Sequence, residues 1–212
     1  MSLCQICEKR RPRRFCPGLR EEICPICCGE EREVTVDCPF DCEFLREARR
    51  HERPNQVAPE DIPNRDIRVT DDFLRQNEPL LVHMSGMLLQ AAAEAGAVDE
   101  DVREALSSMA RTYLTKESGL IYESRPNNPF AAGIQQRVQT GVEAFREQVS
   151  RQSGLNTIRD KDVLGVLVFL QRVEAHQNNG RSRSRAFLYF LNENFVPPEP
   201  PPEEPAAPLI SP

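Results

Sequence analysis

Cys4-Gln-Ile-Cys7, Cys24-Pro-Ile-Cys27-Cys28 and Cys38-Pro-Phe-Asp-Cys42, with Cys16 between the first two groups, place all eight cysteines of a 212-residue chain before position 43. Two cysteines separated by two residues can close on one tetrahedral metal, because the tight knuckle between them points both sulfurs the same way. The pairs Cys4/Cys7 and Cys24/Cys27 therefore read as one Cys₄ site. Cys16, Cys28, Cys38 and Cys42 remain and read as a second, with Cys38 and Cys42 a chelating pair that leads into a predicted helix from Phe44 to Arg50. Adjacent Cys27 and Cys28 point in different directions, so one residue in each site would lock two structural Zn²⁺ ions into an interleaved order.

Other readings of the same cysteines compete with this one. Some thiols could be small buried hydrophobes. The two CxxC pairs could serve redox chemistry, but that use calls for a strand and helix in a βαβ context, which the sequence lacks. A one-zinc version leaves Cys16 or Cys28 free, with His51 filling in. Catalytic zinc is disfavoured, since eight thiolates leave no open position for water and there is no HExxH or HxE ahead of a PCxxC. A head of about 50 residues with few large apolar groups buries little surface by itself, so metal is expected to hold it together.

Outward from the cysteines, composition divides the chain into a zinc-binding module over residues 1–53, a linker over 54–68, an α-helical domain over 69–195 and a Pro-rich tail over 196–212. The linker holds three prolines and several charges without apolar periodicity. The tail has eight prolines in 17 residues and reads as disordered or polyproline II, with Leu209 and Ile210 its only apolar anchors. The expected fold class is mainly α: a small two-zinc head followed by an all-α five-helix domain.

Each helix is read from spacing. Thr70, Asp71 and Asp72 cap a run through Phe73, Leu80, Leu81, Met84, Met87, Leu88, Ala91 and Ala92 that Gly96 stops, and Pro79 either starts its main helix or kinks it. A second run, from Asp99, shows Val102, Leu106, Met109, Tyr113 and Leu120 before Pro126. Asn128 and Pro129 open a third, with Phe130, Ile134, Val138, Val142, Phe145 and Val149 ending at Gly154. Val163 to Leu170 is apolar all round. Its composition could suit a buried strand, but the length from Asp160 to His176 predicts a central buried helix. A fifth runs from about Ser184 to Phe195.

The net charge is −6, and the head balances eleven basic against eleven acidic groups. Eight thiolates and two Zn²⁺ would leave it four charges more negative, which argues against a nucleic-acid binder. The first residues reach Lys9, Arg10 and Arg11 without an apolar run, and Val163 to Leu170 is less than half the roughly 20 residues that span a bilayer. The expectation is a soluble cytoplasmic chain with no membrane partner, in a reducing compartment where cysteine patterns signal metal more than disulfides.

Ile23-Cys-Pro-Ile-Cys-Cys-Gly-Glu-Glu-Arg32, followed by Asp37-Cys-Pro-Phe-Asp-Cys42-Glu-Phe-Leu45, resembles the opening of an uncharacterised family of bacterial proteins. Such proteins close with a segment similar to Asn178-Asn-Gly-Arg-Ser-Arg-Ser-Arg-Ala-Phe187, so the likeness covers most of the chain short of its tail. It implies a zinc module ahead of a helical domain and no particular activity. The interleaved ligand order is also loosely similar to cross-braced fingers of the MYND, HIT and RING types, which are mainly protein-binding modules. Those place four two-ligand pairs where this chain has three pairs and two singles.

His51, His83 and His176 are scattered without a carboxylate or nucleophile at motif spacing, and no GxGxxG, GxxxxGK[ST] or GxSxG occurs. The polar segment that asks for explanation is Arg181-Ser182-Arg183-Ser184-Arg185, three arginines at a helix start, where the dipole disfavours cations. It is either a solvated loop salt-bridged to the acidic body or an anion seat capped by Ser182 or Ser184. The first functional reading is an interaction or adaptor protein whose partner is another protein. The alternative is a nucleic-acid-associated protein using Arg10, Arg11, Arg13 and Arg14 with Arg181 to Arg185, and a distant one is an enzyme or binder of a phosphorylated small molecule near Arg181.

Overall fold

In the computed structural model, which describes residues 3–119, 122–154 and 158–195, the Cys-rich head is a hairpin followed by two short helices. Strand β1 (Arg14–Cys16) pairs antiparallel with β2 (Glu21–Ile23), Cys16 opposite Glu21. Gly18 in the hairpin turn lies so close to the backbone of Asp37 that a Cβ there would stand 2.4 Å from the Asp37 carbonyl oxygen. That approach, open only to glycine, brings Cys16 toward Cys38. Helix α1 (Pro25–Glu31) starts on Cys24 with proline in its first turn, and α2 (Glu43–His51) starts on Cys42 and covers the predicted Phe44 to Arg50.

The five predicted runs of the body form six helices. The first divides at Asn77, whose backbone N–H closes α3 (Asp71–Gln76) on the carbonyls of Phe73 and Leu74. Pro79 then sits in the first turn of α4 (Glu78–Ala95), where its missing N–H costs nothing. Gly96, at φ 65°, ends α4 in the left-handed region. Helix α5 (Asp99–Glu117) follows, and the predicted apolar contribution of Leu120 lies outside the described residues. In α6 (Pro129–Ser153) the Asn128 Oδ1 accepts the Phe130 N–H at 2.9 Å, and Gly154 ends the helix. Helices α7 (Asp160–Gln177) and α8 (Ala186–Phe195) complete the body, while the tail from Val196 lies outside the described residues.

The all-round apolar run from Val163 to Leu170 is the middle of α7, and every one of its residues but Phe169 is buried. Helix α4 packs along α6, α5 along both α6 and α7, and α8 across α4 and α7. Met84, Leu88, Leu106, Met109, Leu167, Phe187 and Leu191 meet in the core, each worth about 1.5–3 kcal/mol of removal from water. Gly165 gives the Phe73 ring its seat, since a Cβ there would meet the ring at 2.3 Å, and this docks α3 on α7. Among the described residues no helix is long and apolar enough to cross a membrane.

The segment read as a linker runs along α7. Arg172 donates from Nη2 to the carbonyls of Asn64 and Ile67, at 2.7 and 2.8 Å, and the Asn55 N–H donates to the His176 carbonyl at 2.6 Å. Asn64 Nδ2 also reaches Gln171 Oε1 at 2.8 Å. Phe40 of the head lies edge-on to Tyr189 of α8, with ring centroids 5.9 Å apart.

Candidate metal centre

The first four cysteines converge. Glu8 donates to the Cys4 carbonyl at 2.8 Å and Cys4 to the Arg10 carbonyl at 2.9 Å, which makes a tight knuckle, and Gln5 ties it to Glu22 of β2 at 3.2 Å. Strand β2 leads directly to Cys24, whose sulfur accepts the Cys27 N–H at 3.4 Å as the cap of α1. The Cys24 N–H in turn donates to Cys4 Sγ at 3.1 Å. The sulfurs of Cys4, Cys7, Cys24 and Cys27 all lie within 4.8 Å of one another, so these four could hold one metal ion. A tetrahedral zinc–thiolate centre, with Zn–S about 2.3 Å, needs sulfurs roughly 3.8 Å apart, a spacing that fits inside this span. Among the described residues no other group of His, Cys, Asp or Glu ligand atoms draws together in this way.

The electrostatics of the group suit a cation. Burial opposes ionisation of Cys4, yet the N–H groups of Cys7 and Cys24 hold its thiol below the ordinary value. Backbone N–H groups do the same for Cys7, from Lys9 and Arg10, and for Cys24, from Cys27. Cys27 carries the cost: burial, then the neighbouring sulfurs of Cys24, Cys7 and Cys4, push it up to about 12. Four thiolates cannot share this space without a compensating positive charge, which is the condition a divalent ion satisfies. Arg10 lies alongside, its Nη1 3.8 and 3.9 Å from the sulfurs of Cys24 and Cys27.

Cys16, Cys28, Cys38 and Cys42 line one small cavity of about 20 Å³ beneath Ile23, Val36, Phe44 and Leu45. That is about the space one water-sized body occupies. Cys16 ends β1, Cys28 sits in α1, Cys42 opens α2, and Cys38 lies on the segment pinned by Gly18. Burial pushes the Cys38 thiol up to about 11, with the charges of Glu33, Cys16 and Cys42 adding to it. Arg14 Nη1 lies 3.4 Å from Cys28 Sγ while its guanidinium stacks 4.4 Å over the Phe44 ring. Arg32 approaches the same sulfur at 3.9 Å.

The histidines stand elsewhere. His51 Nε2 meets Glu47 on the exposed face of α2, at 3.1 Å. His83 stacks on Phe145 at 4.5 Å, and His176 Nδ1 meets the Asn55 carbonyl.

Arg181 to Arg185 lies on the head. Arg181 Nη1 donates to the Arg32 carbonyl and, at 3.4 Å, to that of Gly29; Ser182 Oγ donates to the Val34 carbonyl at 2.9 Å. The Arg183 N–H reaches the Glu33 carbonyl at 2.8 Å, and the Arg185 side chain pairs with Asp37. Glu33, 1% exposed, accepts from Arg49, from the Arg185 N–H at 3.0 Å and from Asn179 Nδ2 at 3.0 Å. The first turn of α8 is received by Asp99, which accepts the N–H groups of Phe187 and Leu188 at 3.0 and 3.2 Å and the Ser184 hydroxyl at 2.9 Å. Burial holds the Asp99 carboxyl above the ordinary range in spite of these donors. Carboxylates of the chain itself thus face this segment, and the Arg183 side chain stays exposed. Glu33 gave no sequence signal beyond being an acid, and Asp99 read only as a helix start; their burial follows from docking between distant segments.

Compared with protein-family models, with curated proteins and with solved structures, the chain finds no match.

Proposed function

We propose that the chain is a zinc protein with two structural ions, one in each cysteine set, whose head presents a surface to another protein. The observation that carries the interaction reading is the placement of exposed apolar side chains. Leu3, Phe15, Leu19, Ile26 and Val34, five of the eight large hydrophobics left exposed among the described residues, lie in the head. Phe15 and Ile26 flank cysteines of the two different sets and are 54% and 49% exposed. Apolar groups grouped at a rigid metal-held module are the usual mark of a binding surface. Thiolate ligands and a buried setting support zinc over harder cations.

The nucleic-acid alternative needs the head arginines free to meet phosphates. Arg10 and Arg14 instead lie against cysteine sulfurs, and Arg181 and Arg185 are engaged on the head backbone and Asp37. That leaves Arg11, Arg13 and Arg183, too few for strong salt-dependent binding.

The test combines composition and capture. Elemental analysis of the full chain should return two zinc ions, falling to one in Cys4→Ser and in Cys38→Ser. A protein captured by the full chain, identified and rebound in purified form, should lose affinity at least tenfold to Phe15→Ser with Ile26→Ser. One zinc in the unmodified chain would refute the second site. Capture unaffected by both surface changes would refute the head as the binding surface.

A further inference from the structure

A cavity of about 630 Å³ lies away from the metal centre, at the junction of head and body. It is walled by the end of α2, by Pro54 and Asn55, by the end of α7 and by one face of α8 from Ala186 to Asn194. Its volume is that of a small-molecule site. Arg49, Arg53 and Arg181 all line it.

These three guanidiniums differ in what they lack. Arg49 is 7% exposed, pairs with Glu33 through Nη2, lies 3.9 Å from Glu52 Oε2 through Nη1 and stacks on Tyr189, and its Nε is sealed from solvent without a hydrogen-bond partner among the described residues. Arg181 is bonded to carbonyls of Arg32 and Gly29, which satisfy N–H groups but leave its positive charge without a carboxylate. Arg53 is exposed with no ion pair among the described residues. The charges of Arg53 and Arg181, without a carboxylate partner among the described residues, border a single cavity and call for an oxyanion, and two charges match a dianion better than a monoanion. The remaining lining is rich in amides, Asn55, Gln177, Asn178, Asn179 and Asn194, with the exposed acids Glu52 and Glu193. Acids there repel a bare anion and accept from hydroxyl or amino groups.

We propose that this junction cavity binds a phosphomonoester, its phosphoryl oxygens held by Arg53 and Arg181 and its hydroxyl- or amine-bearing part directed to the amides, Glu52 and Glu193. The site differs from a seat made of Arg181, Arg183 and Arg185 together. Arg185 is spent on Asp37, and Arg183 does not line the cavity. It also stands apart from the head's apolar surface, so it holds or fails independently of the adaptor reading.

The full chain is tested by thermal unfolding with inorganic phosphate against chloride at matched ionic strength, then by calorimetric titration with a hexose monophosphate. Phosphate at tenfold excess over its apparent Kd should raise the melting temperature by about 4 °C. General salting-out by phosphate would raise every variant alike, so the increment and not the absolute value is read. Arg53→Ala should abolish the increment and weaken the sugar phosphate at least tenfold, whereas Arg183→Ala should leave both intact. Glu193→Ala should weaken the hexose monophosphate and spare inorganic phosphate. Equal increments in wild type, Arg53→Ala and Arg183→Ala would overturn the site, and a hexose monophosphate binding no tighter than phosphate would overturn the assigned ligand class.

Discussion

The Glu33 carboxylate and the Arg49 guanidinium form an ion pair almost sealed from solvent, their side chains 1% and 7% exposed. Glu33 holds a left-handed backbone, φ 53°, a conformation a glutamate keeps only when its surroundings over-determine it. Its position between Cys28 and Cys38 makes it the point where the second cysteine set meets the body. Glu33→Ala strands a buried arginine and two further donors, and should cost about 3–5 kcal/mol in urea unfolding of the metal-loaded chain. A cost under about 1 kcal/mol, the range of a surface pair, would show that the junction is solvated.

Metal removal should reach beyond the head. The chain on either side of Glu33 carries Cys28 and Cys38, ligands of the second ion proposed above, and its groups bind the N–H groups of Arg183 and Arg185 at 2.8 and 3.0 Å. A strong chelator should therefore unfold the head and also raise amide hydrogen exchange at Arg183 and Arg185, while α4 to α7 keep their protection. Exchange at those two amides that ignores chelation would mean the clasp forms without metal.

Gly165→Ala puts a methyl group into the Phe73 ring, at 2.3 Å in the present geometry. Overpacking of this kind should destabilise by about 1–3 kcal/mol. Phe73→Leu should cost stability alone yet recover most of the loss in the double variant, a coupling that a thermal-denaturation cycle reads directly. Additive effects would show that α3 shifts freely on α7.

The parts of the fold legible beforehand were those set by local periodicity. Phe130 to Val149 announces its helix because side chains three and four residues apart must share a face, whereas Val163 to Leu170, apolar all round, is legible as helix only from the length of the segment between Asp160 and His176. The division at Asn77 was the less local event: Pro79 allowed both a kink and a start, and the Asn77 N–H bonding to Phe73 and Leu74 decides for a start. The first cysteine set was equally legible, since two CxxC knuckles carry their own geometry. The cavity behind Arg49, the bonding of Arg181 to Arg185 onto the head and the strapping of residues 54–68 onto Arg172 were not. Each depends on segments more than 100 residues apart, which no spacing encodes.

Glu174 supplies a pH dependence of definite sign. Burial pushes its carboxyl up to about 7 from an ordinary 4.5, against the opposing pull of Arg103, which donates to it at 2.8–3.0 Å. The folded state thus binds the proton more tightly than the unfolded one. Its stabilising contribution is complete below pH 4.5 and is lost as pH rises through about 7. Stability of the wild type relative to Glu174→Gln should fall by about 3 kcal/mol across that interval, the change in Asp99 cancelling because both proteins share it. A difference that is flat or rises with pH would show that Arg103 dominates burial.

Glu33 and the Arg185 amide that it accepts are 152 positions apart, and this separation bears on the order in which the chain can be completed during synthesis. The head emerges first and can take up metal from its own cysteines, but the arginine, serine and asparagine groups that close over Glu33 leave the ribosome only with the start of α8. Until then the Glu33 carboxylate has Arg49 but lacks the Arg185 N–H and Asn179, and Phe40 lacks Tyr189. The last helix therefore acts as a completion signal for the first fifty residues: a chain stopped before Arg181 would carry its cysteines and most of its helices but an unfinished junction.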